Sequence, residues 1–158
     1  LTVVEFPEKA RVVDVGTGGG FPGLPLKIAR HDLRMVMTDS IAKKVKMTSM
    51  FAEHTGLRGI SVENCRVESL QSHTSHRRSF DVVVARAVAP LTEIVGWTRN
   101  LLKPHGFFAL LKGGDLAQEV SAAEHDHPGL RVRVTPLRMN GVPWFEEQEK
   151  KIVVASFI

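Results

Sequence analysis

The sequence predicts an α/β domain: a mostly parallel sheet with helices on both faces and an antiparallel hairpin at one edge. Three observations predict it. Short β-branched runs alternate with helical patterns along all 158 residues, the arrangement that builds parallel sheets from β-α-β units. A glycine-rich turn follows the first run directly. The segment between the last two runs is broken by Pro136, Gly141 and Pro143, so no crossover helix is expected there and an antiparallel return is.

In order along the chain, residues 11–15 (RVVDV) read as a buried strand, and 24–30 as a helix with Pro22 or Pro25 tolerated in its first turn. Residues 35–38 form a second strand ending at Asp39. Residues 42–54 form an amphipathic helix with Val45, Met50 and Phe51 as its apolar side, stopped by Gly56. Strands follow at 60–63 and 82–85. A helix over 91–102 is closed by Pro104 and Gly106, and a strand covers 107–111. A helix at 116–124 and strands at 130–134 and 152–157 complete the chain. No linker, repeat or low-complexity tract divides it, so one domain over 1–158 is expected. In sheets of this kind ligands sit beyond the carboxyl ends of the strands, beside the first one.

Composition narrows the class. A hydrophobic fraction of 43% and a charged fraction of 24% suit a globular core and a solvated surface. No apolar run approaches the ~18 residues of a membrane span, and no signal-peptide pattern opens the chain. The lone Cys65 cannot form an internal disulfide and fits a reducing cytoplasm. The net charge of +4 makes an acidic partner plausible, nucleic acid first. Lys27, Arg30, Lys43, Lys44, Lys46, Arg77 and Arg78 are candidate phosphate contacts, with Lys43, Lys44 and Lys46 read first as the solvated face of a helix. His73, His76, His125 and His127 show no metal-ligand spacing, so no metal is expected.

The strongest motif is Asp14-Val15-Gly16-Thr17-Gly18-Gly19-Gly20-Phe21-Pro22-Gly23, at the first strand-to-helix turn. Five glycines there allow positive φ and let a ligand approach the backbone with no Cβ in the way. Gly18, Gly20 and Gly23 satisfy the dinucleotide spacing G-x-G-x-x-G, a weak signal alone. Asp14, Gly16, Gly18 and Gly20 also form D-x-G-x-G-x-G, which resembles the loop of S-adenosylmethionine-dependent methyltransferases. Asp39, after the second strand, suits ribose hydroxyls in either family.

Five blocks, the glycine loop among them, sharpen the resemblance. Val13–Leu26 (VDVGTGGGFPGLPL), Thr38-Asp39-Ser40 with Lys43-Lys44, Arg66-Val67-Glu68, Ala85-Arg86-Ala87 with Leu91, and Gly106 with Leu111-Lys112-Gly113 occur in order and spacing. Together they resemble the bacterial 16S rRNA guanine-N7 methyltransferases of the RsmG (GidB) family, over nearly the whole chain. The resemblance implies a Rossmann-like class I S-adenosylmethionine-dependent methyltransferase fold, with S-adenosyl-L-methionine as cofactor. It implies 16S rRNA in the small ribosomal subunit as partner. A cytoplasmic monomer is expected. It places Gly16 and Phe21 at the cofactor, Asp39 at its ribose, Val67 and Glu68 near its adenine, and Arg86 at the cofactor site. Two departures stand out. The family's helical N-terminal segment is absent, and the chain opens on Leu1 rather than Met, so a preceding segment is expected to be missing. Lys150-Lys151 stands where the family tends to carry an Arg-His pair.

Guanine N7 offers a lone pair and no proton, so the reaction asks for positioning and electrostatics more than for a general base. Arg86 and Lys112 both follow strand ends on the ligand side and are the candidate catalytic residues, donating to guanine O6 or to a phosphate. Pyrimidine C5 chemistry would need a cysteine nucleophile, and Cys65 reads as a small buried residue. The loop after the fourth strand (Ala85 to Pro90) lacks the N-P-P-aromatic pattern expected for adenine N6 methylation. The alternatives are a methyltransferase of the same fold acting on another RNA, a protein or a small molecule, a nicotinamide-dependent oxidoreductase, and a catalytically silent binding module.

Overall fold

The computed structural model describes residues 3–138 and 141–158, so Leu1 lies outside the described residues. Five parallel strands and two carboxyl-terminal ones form a single seven-stranded sheet. In chain order the elements are β1 (Arg11–Val15), α1 (Gly23–Ala29), β2 (Arg34–Asp39), α2 (Ala42–His54), β3 (Ile60–Asn64), a 3₁₀ turn (Val67–Ser72), β4 (Phe80–Arg86) and α3 (Leu91–Thr98). They continue with β5 (Leu102–Gly113), α4 (Ala117–Asp126), β6 (Leu130–Pro136), α5 (Pro143–Glu147) and β7 (Lys150–Phe157). The strand order is β3-β2-β1-β4-β5-β7-β6. β7 runs antiparallel to both neighbours, inserted between β5 and the edge strand β6. The expected edge hairpin is therefore present, and its returning strand is an interior one.

Alternation along the strands separates two cores. Val13, Val83, Phe108 and Val153 face α3, α4 and the 3₁₀ turn. Val12, Val82, Met35, Met37 and Ala109 face Leu24 of α1, Ala52 of α2 and Phe6 of the entering segment. The near-continuous burial of β1 and β4 is what a strand covered on both faces requires. The order reverses between β1 and β4, and the crevice opens beyond their carboxyl ends.

Four local expectations are corrected. The helix over 91–102 stops at Thr98, whose hydroxyl donates back to Ile94 O at 2.5 Å. β5 then begins at Leu102, so Pro104 and Gly106 lie inside a strand. A register shift opposite Phe80–Val82 absorbs the proline. A Cβ on Gly106 would meet Leu102 Cδ2 at 2.8 Å and Asp81 O at 3.1 Å, so the crossing there is made by glycine. Second, α2 does not bury Met50 (60% exposed) or Phe51 (49% exposed). It packs through Thr48 and Ala52, small residues that bring its axis close enough for Thr48 Oγ1 to donate to Gly18 O at 2.8 Å. Third, the segment before β7 holds one helical turn, α5, with proline in its first turn where the missing N–H costs nothing.

Fourth, Lys27 is not a surface cation. It is buried, and its ammonium donates to His31 O at 2.6 Å and Leu33 O at 2.5 Å, closing the turn between α1 and β2. Burial pushes its pKa down, with Asp32 opposing. Lys27→Met keeps the stem and leaves two carbonyls without their donor. It is expected to cost ~1–3 kcal/mol, measured by urea unfolding; an unchanged midpoint would show the turn does not depend on this cap. No described helix is long and apolar enough to cross a membrane.

Candidate cofactor and methyl-transfer site

The glycine loop is organised from beneath by Asp14. Its Oδ2 accepts from the Thr17 hydroxyl at 2.6 Å and from Gly23 N–H at 2.9 Å, tying both ends of the loop to β1. Thr17 O accepts from Gly20 N–H and Phe21 N–H, both at 2.9 Å, and Thr17 N–H donates to Thr38 O on β2. Gly16 and Gly18 adopt φ of 62° and 58°, the left-handed region that glycine enters without steric cost. Gly20 (φ 95°) serves packing, since a Cβ there would lie 2.4 Å from Leu24 Cδ1.

Asp39 ends β2 with both oxygens engaged: Oδ2 accepts from Gly18 N–H and Oδ1 from Ile41 N–H, each at 2.9 Å. This fixes the carboxylate between the glycine loop and the start of α2, and leaves further lone pairs for a ligand. Arg86 ends β4. Its guanidinium lies over the Phe21 ring, 5.3 Å from the centroid, and both side chains are exposed. Lys112, near the end of β5, donates to Ala89 O at 2.8 Å and pairs with Glu119 of α4.

These parts surround a cavity of about 850 Å³. Of the residues expected at the cofactor, Gly16, Gly18, Phe21, Asp39 and Arg86 line it, and so does Lys112. Asp14 and Gly20 do not; they shape the loop from below. Val67 is buried and Glu68 half-buried in the 3₁₀ turn after β3, and neither lines the cavity. Ile41, Lys44, Phe145 and Lys150 line it without having been singled out for it. Lys44 carried a signal, five positions past Asp39 on the following helix. Lys150 and Phe145 arrive only through the antiparallel return of β7.

Asp14 Oδ1 is buried and has no hydrogen-bond partner. Burial pushes the Asp14 pKa up to about 7, against the Thr17 and Gly23 hydrogen bonds and the charge of Arg86, with Asp39 adding to the rise. A carboxyl whose pKa is raised on folding holds its proton more tightly in the folded state. Its contribution is complete below about pH 4 and is lost as pH rises towards 7. Asp14→Asn removes the titration while its carbonyl can still accept from Thr17 and Gly23. Between pH 4 and pH 8 the unfolding free energy of the variant is expected to gain a few kcal/mol relative to wild type, a tenfold change in proton affinity being worth about 1.4 kcal/mol. Parallel denaturation curves across that range would refute the buried-acid assignment.

The remaining chemistry-bearing residues lie elsewhere. Cys65 is half-buried against the core, and burial pushes its thiol pKa up, which opposes a nucleophilic role. His76 sits beside Arg11, with its Nδ1 2.9 Å from Nη2. Among the described residues no three His, Cys, Asp or Glu side chains are placed to hold a metal ion.

Known proteins share both fold and sequence. An S-adenosylmethionine-dependent methyltransferase from Aquifex aeolicus superposes with a TM-score of 0.71 at 18% identity, covering 98% of this chain and 85% of that one. It supports the fold alone. The ribosomal RNA small subunit methyltransferase G of Chlorobium limicola is 36% identical over 155 residues, 96% of this chain and 67% of the relative. That of Phocaeicola vulgatus is 37% identical over 130 residues, 78% of this chain and 59% of the relative. The chain thus spans about 59–67% of the length of these curated relatives. The family model described as rRNA small subunit methyltransferase G matches residues 1–142, and with these relatives it shows that the chain belongs to the GidB family.

Proposed function

We propose that residues 1–158 form one methyltransferase domain that binds S-adenosyl-L-methionine in the cavity beyond β1, β2 and β4. Its substrate is a guanosine in 16S rRNA of the small ribosomal subunit, methylated at N7. The observation that carries this reading is the convergence of Gly16, Gly18, Asp39 and Arg86 on one cavity in a chain of the GidB family.

The residues fit the cofactor. Gly16 presents bare backbone at the cavity where any Cβ would crowd Val88, Asp39 suits the ribose hydroxyls, and Ile41 offers an exposed apolar surface beside it. Bound there, S-adenosylmethionine supplies a sulfonium-activated methyl group. The protein then has to hold a guanine edge in line with it and keep competing nucleophiles away. No proton must leave N7; among the described lining residues the one carboxylate, Asp39, has both oxygens on backbone N–H groups. Arg86 is the residue we assign to guanine O6 or an adjoining phosphate, with Lys112 beside it. Val67 and Glu68 remain candidates for the adenine end. Lys44 and Lys150 extend the positive rim on which an RNA backbone can rest. We propose that the enzyme is a cytoplasmic monomer, and that it works without a metal because N7 needs no activation.

The test is methyl transfer from labelled S-adenosylmethionine to small subunits lacking the modification, with the methylated base mapped. Label on N7 of one guanosine is the expected result. Label on another RNA, a protein or a small molecule would keep the cofactor site and replace the substrate. Retention of NAD in place of S-adenosylmethionine would overturn both.

A further inference from the structure

The loop from Arg86 to Leu91 forms one wall of the cavity: Arg86, Ala87 and Val88 line it. Ala87 lies at φ 51°, in the left-handed region. An L-residue persists there at a cost only when its surroundings fix it. The fixing contacts come from outside the loop. Lys112 Nζ donates to Ala89 O at 2.8 Å. Glu119 Oε1 accepts from Leu91 N–H at 2.5 Å, at the free amino end of α3, and pairs with Lys112. The Lys112 side chain is 9% exposed and that of Glu119 25%, so solvent screens this pair less than a surface bridge. Glu119 itself does not line the cavity. One carboxylate on α4 therefore ties down the loop's carboxyl end directly and, through Lys112, its middle.

We infer that Glu119 is a positioning residue for methyl transfer: with Lys112 it clamps the Arg86–Leu91 loop so that Arg86 and Val88 meet the target base in a fixed geometry. This rests on the proposed function for its target, and on the hydrogen bonds alone for the clamp. Releasing the clamp leaves the glycine loop and Asp39 in place, since neither touches Glu119 or Lys112 through any hydrogen bond described. The loss should therefore fall on turnover and spare cofactor affinity. The packing of α3 on α4 has a second tie, Thr92 Oγ1 donating to Asp126 Oδ2 at 2.9 Å and His127 Nε2 lying 2.8 Å from Thr92 O. The helices accordingly stay docked without Glu119.

The experiment uses Glu119→Ala and Glu119→Gln in the full chain. The amide oxygen of Glu119→Gln can still accept from Leu91 N–H and from the Lys112 ammonium but carries no charge, and it nearly preserves shape. Two readouts are taken: kcat, KM for unmodified small subunits and Kd for S-adenosylmethionine; and amide hydrogen exchange at residues 87–89 and 91 against β1 and β5. The expected result for Glu119→Ala is a kcat lowered ~10- to 100-fold, the scale on which small misplacements act. KM and Kd should stay within about threefold, and exchange should rise at least about tenfold in the loop only. Glu119→Gln should fall between Ala and wild type on both readouts. Wild-type kcat in both variants overturns the inference, as does lowered kcat with unchanged loop exchange, or exchange rising equally in β1 and β5. If wild-type protein methylates no small subunit, the functional reading fails, and the exchange result alone then decides whether the clamp exists.

Discussion

Gly16→Ala is expected to weaken S-adenosylmethionine binding by ~10- to 100-fold, with the fold retained. Two costs combine. An L-residue at φ 62° pays ~1–2 kcal/mol for the left-handed backbone. Its Cβ would also lie 2.8 Å from Val88 Cγ2 and 3.1 Å from Cγ1, so either the loop after β4 moves or the glycine loop does, and both are cavity walls. Gly18→Ala is the control. Its φ of 58° carries the same backbone cost, but the nearest atom to the new Cβ is Gly16 O at 3.9 Å. The loss there should be the smaller one, at most ~5- to 30-fold by the same backbone term. Equilibrium binding of labelled cofactor to the three proteins makes the comparison. If Gly16→Ala binds as wild type, the cavity beside Gly16 is not where the cofactor lies. If Gly18→Ala is the more damaged variant, the ligand itself packs more closely on Gly18 than on Gly16.

That pair also shows what was legible in the sequence and what was not. The glycine loop, Asp39 and Arg86 are local features: each sits at a strand end, and strand ends follow from β-branched runs and the glycines that stop them. The mostly parallel sheet and its antiparallel return were legible for the same reason. What escaped is set by contacts between distant segments. α2 carries Met50 and Phe51 outward because Thr48 docks on Gly18 O, a preference for close approach over apolar area that periodicity cannot express. Asp14 belongs to the motif yet lies beneath the loop as its buried organiser. Lys27 looked like one of several surface cations until the α1–β2 turn wrapped its carbonyls around the ammonium. Pro104 and Gly106 read as a helix stop, and they fit a strand only because the β4–β5 register shifts there. Lys112 was legible as a strand-end cation, but its partner Glu119 comes from a helix whose docking no local pattern announces.

Arg86→Ala is expected to abolish methyl transfer within detection, a loss of ~10²-fold or more in kcat/KM, the scale on which misplacing the reacting base acts. Methylation at N7 leaves the guanine ring positively charged while its O6 still accepts hydrogen bonds. The donor therefore must reach O6 or an adjoining phosphate without occupying N7, where an arginine fork would otherwise bind both acceptors. Arg86 is the donor we propose, with the Phe21 ring beside it. The guanidinium lies over the ring, 5.3 Å from its centroid, and both residues line the cavity, so the ring is a surface on which the fork can be aimed. Arg86→Lys separates charge from orientation: it keeps the cation but loses the planar fork and most of the stacking. If charge alone is needed, Lys restores most of the activity; if the fork is read by the base, Lys remains nearer to Ala. Phe21→Leu should then reproduce part of the Arg86→Lys loss with the guanidinium intact, because it removes the surface that aims it. Single-turnover transfer to unmodified small subunits, alongside cofactor binding, measures all three. A folded Arg86→Ala protein that still methylates at wild-type rate would take Arg86 out of the reaction and leave the base to be held by the rim of Lys44 and Lys150.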